Sequence, residues 1–467
     1  MSALAGVRWG SATAAYQVEG AVDEGGRTPS IWDTFTARPG AIPRGDSGEI
    51  AARIYHHPAV LLDAVAWLGL DTYRLSVAWT RMVTGPDGRP NPEGIAYYRR
   101  VLQGLRDRGV TPVVTLYHWD LPQWLQDAGG WANLATADAF AEFAALAVGE
   151  LGDLVSEWIT VNEPFCAAFH GHLSGLHAPG LHDEATALRA ALVQLHAHGE
   201  AVRAVRRLAP TARVGVSLNL SDLEAATDNP ADLAATRVAD LVENRLFLDP
   251  ALRGRLPDDT VGYFGADVVE AALRGVDVTR IAEPLDFLGV NYYEHNLVRA
   301  SRVGNDLVVR GIEKLPVPEP RSGNGVAVNP AGFTRVLLRV AALEPELPIW
   351  VTENGIGLWD YLGPDARCND VERIAYLDQY LAALATARDQ GARVEAYFHW
   401  SLMDTFEWSY GYQLRYGLFY VDFPTGRLLP KQSAHHYRRL IAGQRAGGPP
   451  ADGSTMDISS AGLSAGA

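Results

Sequence analysis

The stretch Trp158-Ile159-Thr160-Val161-Asn162-Glu163-Pro164 is an apolar, β-branched run that stops on two polar residues and a proline. Such a run fits a strand buried on both faces, with the Asn-Glu pair at its C-terminal end. A second stretch closes in the same way, Leu347-Pro348-Ile349-Trp350-Val351-Thr352 leading into Glu353, Asn354 and Gly355. Short apolar segments of this kind fall near 6–12, 72–78, 112–117, 157–162, 212–219, 286–291, 347–353 and 395–400. Between them, Ala59 to Leu68, Tyr97 to Leu105 and Ala139 to Gly149 carry apolar residues at helical spacing. Strand alternating with helix predicts an α/β fold with a parallel sheet, and eight such units predict a (β/α)8 barrel. The interval from Arg299 to Asn329, rich in Gly, Pro and Asn, reads as an extended loop over the barrel mouth.

At 467 residues, a prior of about 150 residues per domain suggests three domains, but α/β barrels absorb that length as one. No Pro/Gly/Ser-rich linker interrupts residues 1–443, so these are expected to form a single catalytic barrel. Residues 444–467 are small and polar without apolar periodicity, the composition of a disordered tail. The net charge of −15 argues against nucleic acid or an anionic membrane as partner, because both are held by Lys and Arg against phosphates. Two cysteines, Cys166 and Cys368, are too few for a disulfide framework and fit a reducing compartment. No signal-peptide pattern and no 18-residue apolar run occurs, so a cytoplasmic protein is expected.

Polar and aromatic residues crowd the expected strand ends: Gln17, Arg74, His118 and Trp119, Asn162 and Glu163, Asn291 and Tyr293, Glu353, and Trp400 with Glu407 and Trp408. A sugar site needs such a set, because hydroxyls require fixed donors and acceptors while the apolar ring face requires an aromatic wall. Two carboxyls across one pocket suit acid/base and nucleophilic work on an acetal. Glu163 and Glu353 can divide these tasks, the one with weaker donors keeping its proton. Arg74 and the hydroxyl of Tyr293 are the candidates to hold Glu353 ionised. Read alone, two glutamates among 55 acidic residues are weak evidence, since most carboxylates are solvated surface groups, and lone Trp400 or Trp408 would be read as core packing. His170, His172, His177 and His182 crowd one loop without a known metal-ligand spacing, so neither metal nor cofactor is expected.

The order of motifs decides between these readings. Ser11 to Gly20, Arg27 to Asp33, Tyr73 to Ser76, Thr115 to Pro122, Thr160 to Pro164, Gly289 to Tyr293, Thr352 to Gly355 and Trp400 to Trp408 follow one another across about residues 7 to 440. In this the chain resembles glycoside hydrolase family 1, the β-glucosidase family. The resemblance implies a barrel that hydrolyses small β-glycosides with retention, Glu163 being the acid/base and Glu353 the nucleophile. It implies sugar contacts from Gln17, His118, Trp119, Asn162, Glu407 and Trp408, a ring platform at Trp400, and a floor at Asn291 and Tyr293.

Departures from the family pattern fall on the leaving-group side. Phe165 stands where most relatives have Trp after the Asn-Glu-Pro motif, and Val326 matches another Trp position, which predicts a wider leaving-group subsite and a preference for aryl β-glucosides over cellobiose. Trp359 is a candidate substitute wall, and Thr405 replaces the usual Asn. A transglycosylase shares the same first step, and a non-catalytic sugar-binding relative would lack one carboxylate that this chain has. A 6-phospho-glycosidase is rejected, because Glu407 would repel the phosphate dianion. Oligomeric state is left open by the sequence.

Overall fold

The computed structural model describes residues 3–318 and 320–446. Eight parallel strands close into a barrel in sequential order: β1 Arg8–Thr13, β2 Thr72–Ser76, β3 Thr111–Tyr117, β4 Glu157–Asn162, β5 Arg213–Asn219, β6 Phe287–Tyr292, β7 Ile349–Asn354 and β8 Val394–Trp400. The β1–β8 pairing, with Ala12 opposite Trp400, makes the closure. β2, β4, β6 and β7 are buried along their whole length, which is why β4, β6 and β7 carry apolar runs; β2 instead buries Arg74 at its middle. The eight expected segments all overlap these strands.

Helices return the chain between strands, and local chemistry sets where they begin. The helix Pro92–Asp107 starts before the apolar periodicity that begins at Tyr97, because Asn91 caps it by accepting from the Glu93 N–H and Pro92 occupies the first turn. The same Asn-Pro device opens Pro230–Asp240 and Pro330–Leu343. The segment expected as a loop from Arg299 to Asn329 is partly ordered as sheet. His295–Ala300 pairs in parallel with Asp222–Ala225 and antiparallel with Ile312–Leu315, strands too short to show a period in the sequence. The last helix, Gln432–Ala446, runs past the expected boundary at residue 443, and the rest of the expected tail, 447–467, lies outside the described residues.

The N-terminal end of the barrel is stoppered. Phe287 stacks on Trp350 with ring centroids 3.6 Å apart, and the guanidinium groups of Arg8 and Arg213 lie 4.5 and 4.8 Å from the Trp350 ring. Arg8 donates to both oxygens of Glu157 at 2.9 Å, and Arg213 donates to Glu395 at 2.8 Å. This end is built for packing, so any open pocket on the axis must lie at the other.

Candidate active site

Glu163 and Glu353 reach the same pocket because their strands lose regular register just where they end. The β4–β5 pairing slips between Ile159 and Asn162, and the β6–β7 pairing between Val351 and Glu353. Such irregularities re-aim a side chain. Glu163 then takes a left-handed backbone with φ 45°, as do Trp119 at 78° and Trp408 at 42° beside it. Each of these costs about 1–3 kcal/mol and is held by its surroundings. Gly355 is required by space, since a Cβ there would lie 1.9 Å from the Trp400 carbonyl oxygen.

One buried network joins the two carboxyls. Arg74 donates through Nη1 to Glu353 Oε1 at 2.6 Å and to the Thr352 carbonyl at 3.0 Å, through Nη2 to Asn162 Oδ1 at 2.6 Å, and through Nε to Thr115 at 3.1 Å. The Tyr293 hydroxyl donates to Glu353 Oε2 at 2.8 Å. Asn291 Nδ2 donates to Asn162 Oδ1 at 3.0 Å and to Glu163 Oε1 at 2.8 Å, and its own oxygen accepts from Thr352 at 2.6 Å. With Oδ1 of Asn162 taken by two donors, its Nδ2 donates to His118 Nε2 at 3.2 Å, which leaves the His118 hydrogen on Nδ1.

The electrostatics separate the pair. Burial first and the negative neighbour Glu353 second push Glu163 up to about 8, hydrogen bonds from Asn291 and the Cys166 thiol offsetting only part of the rise. Burial also raises Glu353, but Arg74 and Tyr293 pull it back, so the charge of the pair belongs on Glu353. Burial, with Arg74 nearby, holds His118 neutral. Glu407 is pushed up to about 8 by burial, with Thr405 and Gln17 as its donors.

Around the carboxyls stands an aromatic wall. Trp408 lies 4.7 Å from Trp119 and 6.1 Å from His118, and His118 lies 5.7 Å from Trp400 at 18°. Trp119 Nε1 donates to the Asn162 carbonyl at 3.0 Å. His118, Trp119, Glu163, Tyr293, Val326, Glu353, Trp400, Glu407 and Trp408 all line one cavity of about 150 Å³. Gln17 backs it from the short helix Ala15–Val18, donating to the Phe406 carbonyl at 2.9 Å while its own buried oxygen meets no donor. Asn291 and Phe165 line an adjoining cavity that also touches Glu163 and Tyr293. Trp359 borders neither, facing a separate surface groove, so it supplies no wall. Of the four crowded histidines, His177 packs on Trp32 and Trp119, His170 packs on His177, and His172 and His182 bond backbone carbonyls.

The sequence reading missed Thr115 and Thr352, whose hydroxyls tie Arg74 and Asn291 into the network. A polar β-branched residue within an apolar strand near its C-terminal end is the signal that marks both. Glu294 was missed too, although it follows Tyr293 directly and lines both cavities.

A closed parallel barrel that gathers two unequal buried carboxyls and an aromatic-walled pocket at its C-terminal mouth is the architecture of a glycoside-cleaving enzyme. The model of glycosyl hydrolase family 1 matches residues 5–446, and the chain belongs to that family. It is 36% identical over 436 residues to β-glucosidase A of Acetivibrio thermocellus, covering 93% of this chain and 96% of that one. It is 39% identical to a bifunctional β-D-glucosidase/β-D-fucosidase of Bifidobacterium breve, covering 94% and 98%. Among solved structures, the family 1 β-glucosidase of Exiguobacterium antarcticum superposes with a TM-score of 0.91 at 39% identity, covering 96% of this chain and 100% of that one. The Thermotoga maritima β-glucosidase bound to castanospermine gives 0.89 at 35%, covering 94% and 98%.

Proposed function

We propose that the protein is a retaining β-glucosidase acting on small β-glycosides, with Glu163 as acid/base and Glu353 as nucleophile. The observation that carries the roles is the inequality of donors: Glu353 receives Arg74 and Tyr293, and Glu163 receives Asn291. In the first step Glu353 attacks the anomeric carbon, the glycosidic bond breaks, and the proton of Glu163 goes to the departing oxygen. In the second, Glu163 takes a proton from water, whose oxygen attacks the anomeric carbon and releases Glu353. In this reading Asn162 bonds the 2-hydroxyl, Gln17 and Glu407 bond the outer hydroxyls, and Trp400, Trp408 and Trp119 face the ring.

The relatives named β-glucosidases support the glucoside reading, and the bifunctional one extends it to fucosides. Among the described residues no helix is long and apolar enough to cross a membrane. The free thiols of Cys166 and Cys368 support a reducing compartment, and we read the enzyme as cytoplasmic. Proton NMR of 4-nitrophenyl β-glucoside hydrolysis tests the function: β-glucose should form first, and a first product of α-configuration, or no turnover, overturns the reading.

A further inference from the structure

In the proposed reaction the leaving group must depart beside Glu163, and a second cavity of about 350 Å³ opens there. Its inner wall is Glu163, Asn291 and Tyr293, shared with the reacting centre. At its far side stands Lys314, whose Nζ lies 2.9 Å from Glu243 and 3.1 Å from Asp306. That ammonium is thus already held between two carboxylates. Burial also keeps His170, on the same wall, toward its neutral form.

Glu294 occupies the junction and lines both cavities. Its carboxylate is half-buried, accepts from Asn296 Nδ2 at 3.2 Å, and forms no ion pair among the described residues. Glu243, which is 2% exposed, is held by the Lys314 ammonium at 2.9 Å. Beside Glu163, the cavity therefore sets Glu243, Asp306 and Glu294 against one ammonium, and Glu294 is the carboxylate of these three with no cation at ion-pair distance among the described residues. A carboxylate without a counter-ion in a partly enclosed site gains from a cation arriving on a ligand.

We propose that this cavity is a charge-selecting leaving-group subsite, in which Glu294 favours β-glucosides whose leaving group carries an ammonium and disfavours those whose leaving group carries a carboxylate. The proposal rests on the β-glucosidase reading above. Discrimination arises because the excess negative charge is enclosed by low-dielectric walls, where a like charge on the leaving group meets repulsion that water would otherwise screen. An ammonium at the same place meets Glu294, whose carboxylate has no cation of its own among the described residues.

Two aryl β-glucosides of opposite charge test it, one with a 4-(2-ammonioethyl)phenyl and one with a 4-(2-carboxyethyl)phenyl leaving group, alongside the neutral 4-propylphenyl β-glucoside. The ratio of kcat/KM for ammonium over carboxylate substrate in the wild type at low salt should be about tenfold or more and should shrink as salt is added. Glu294→Gln should cut the ratio severalfold, toward the value set by Glu243, Asp306 and Lys314. Because the ratio is taken within each enzyme, a loss common to both substrates cancels, and Glu294→Ser serves if the glutamine variant does not fold. A wild-type ratio near one, or a ratio that Glu294→Gln and Glu294→Ser leave intact, overturns the proposal. Failure of the wild type to hydrolyse the neutral substrate would instead strike at the β-glucosidase reading itself.

Discussion

Arg74 Nη1 lies 2.6 Å from Glu353 Oε1, and both side chains are almost fully buried. Among the described residues Glu163 has no such cation, although it shares Asn291 and Asn162 with the same network. The chemical difference between the two glutamates thus originates on β2, far from either in sequence. Removing one partner of a buried ion pair leaves an uncompensated charge, so Arg74→Met should destabilise the protein by about 3–5 kcal/mol. The loss of the cation also favours protonated Glu353. The acid limb of kcat/KM should therefore move to higher pH, which a pH profile of the folded variant checks; an unmoved limb would count against Arg74 as the residue that keeps Glu353 charged.

Azide distinguishes the two carboxyl roles. In Glu353→Ala the small anion can fill the space of the lost nucleophile and give an α-glycosyl azide, while in Glu163→Ala it can intercept the glycosyl-enzyme and give a β-glycosyl azide. Glu163→Ala should keep its first step with strongly acidic leaving groups and lose about 10²–10⁴-fold with poor ones. NMR of the azide products reads the result, and the reverse pattern would swap the assignments.

The raised Glu163 has two pH consequences. Activity needs its protonated form, so kcat/KM should fall as pH rises through about 8. With a leaving group that needs no proton, Glu163→Gln should lose this alkaline limb. The stability consequence has a defined sign: a carboxyl whose folded pKa lies above its usual value of 4.5 favours the fold below that value and loses the contribution as pH climbs through about 8. Melting curves across this window should decline less for Glu163→Gln than for the wild type.

Val326 borders the same cavity as both glutamates, and Trp359, which faces elsewhere, does not compensate for its small side chain. The wild type should therefore prefer an aryl β-glucoside to cellobiose. Val326→Trp adds a stacking surface worth about 0.5–1.5 kcal/mol, so cellobiose should gain severalfold in kcat/KM relative to the aryl substrate. A wild type that already favours cellobiose would overturn this account of the subsite.

The barrel was legible because its strands are buried over most of their length and several read as apolar runs, as Trp158 to Val161 does. Helix starts were less so: Asn91-Pro92 opens a helix through a cap and a fixed φ, neither of which leaves an apolar period. Ile312–Leu315 was hidden within a Gly-rich segment because four residues pair only through neighbours distant in sequence. At the site, Glu163 and Glu353 were visible as polar stops on apolar strands. What holds them was only partly visible. Arg74 and Tyr293 could be named as candidates, but the Asn291 bridge and the Thr352 hydroxyl acquire their roles from partners on other strands. Glu294 looked like one more acidic residue until the fold set it between two cavities.

The stopper of Phe287, Trp350, Arg8 and Arg213 at the far end of the barrel also governs traffic. Water for the second step has no route along the axis and must come through the mouth by which the aglycone leaves. Arrival and departure are then competitors for one corridor. An alcohol slow to clear it keeps water from the glycosyl-enzyme and stands ready to recapture the sugar, so the share of transfer over hydrolysis becomes a question of residence time in the corridor.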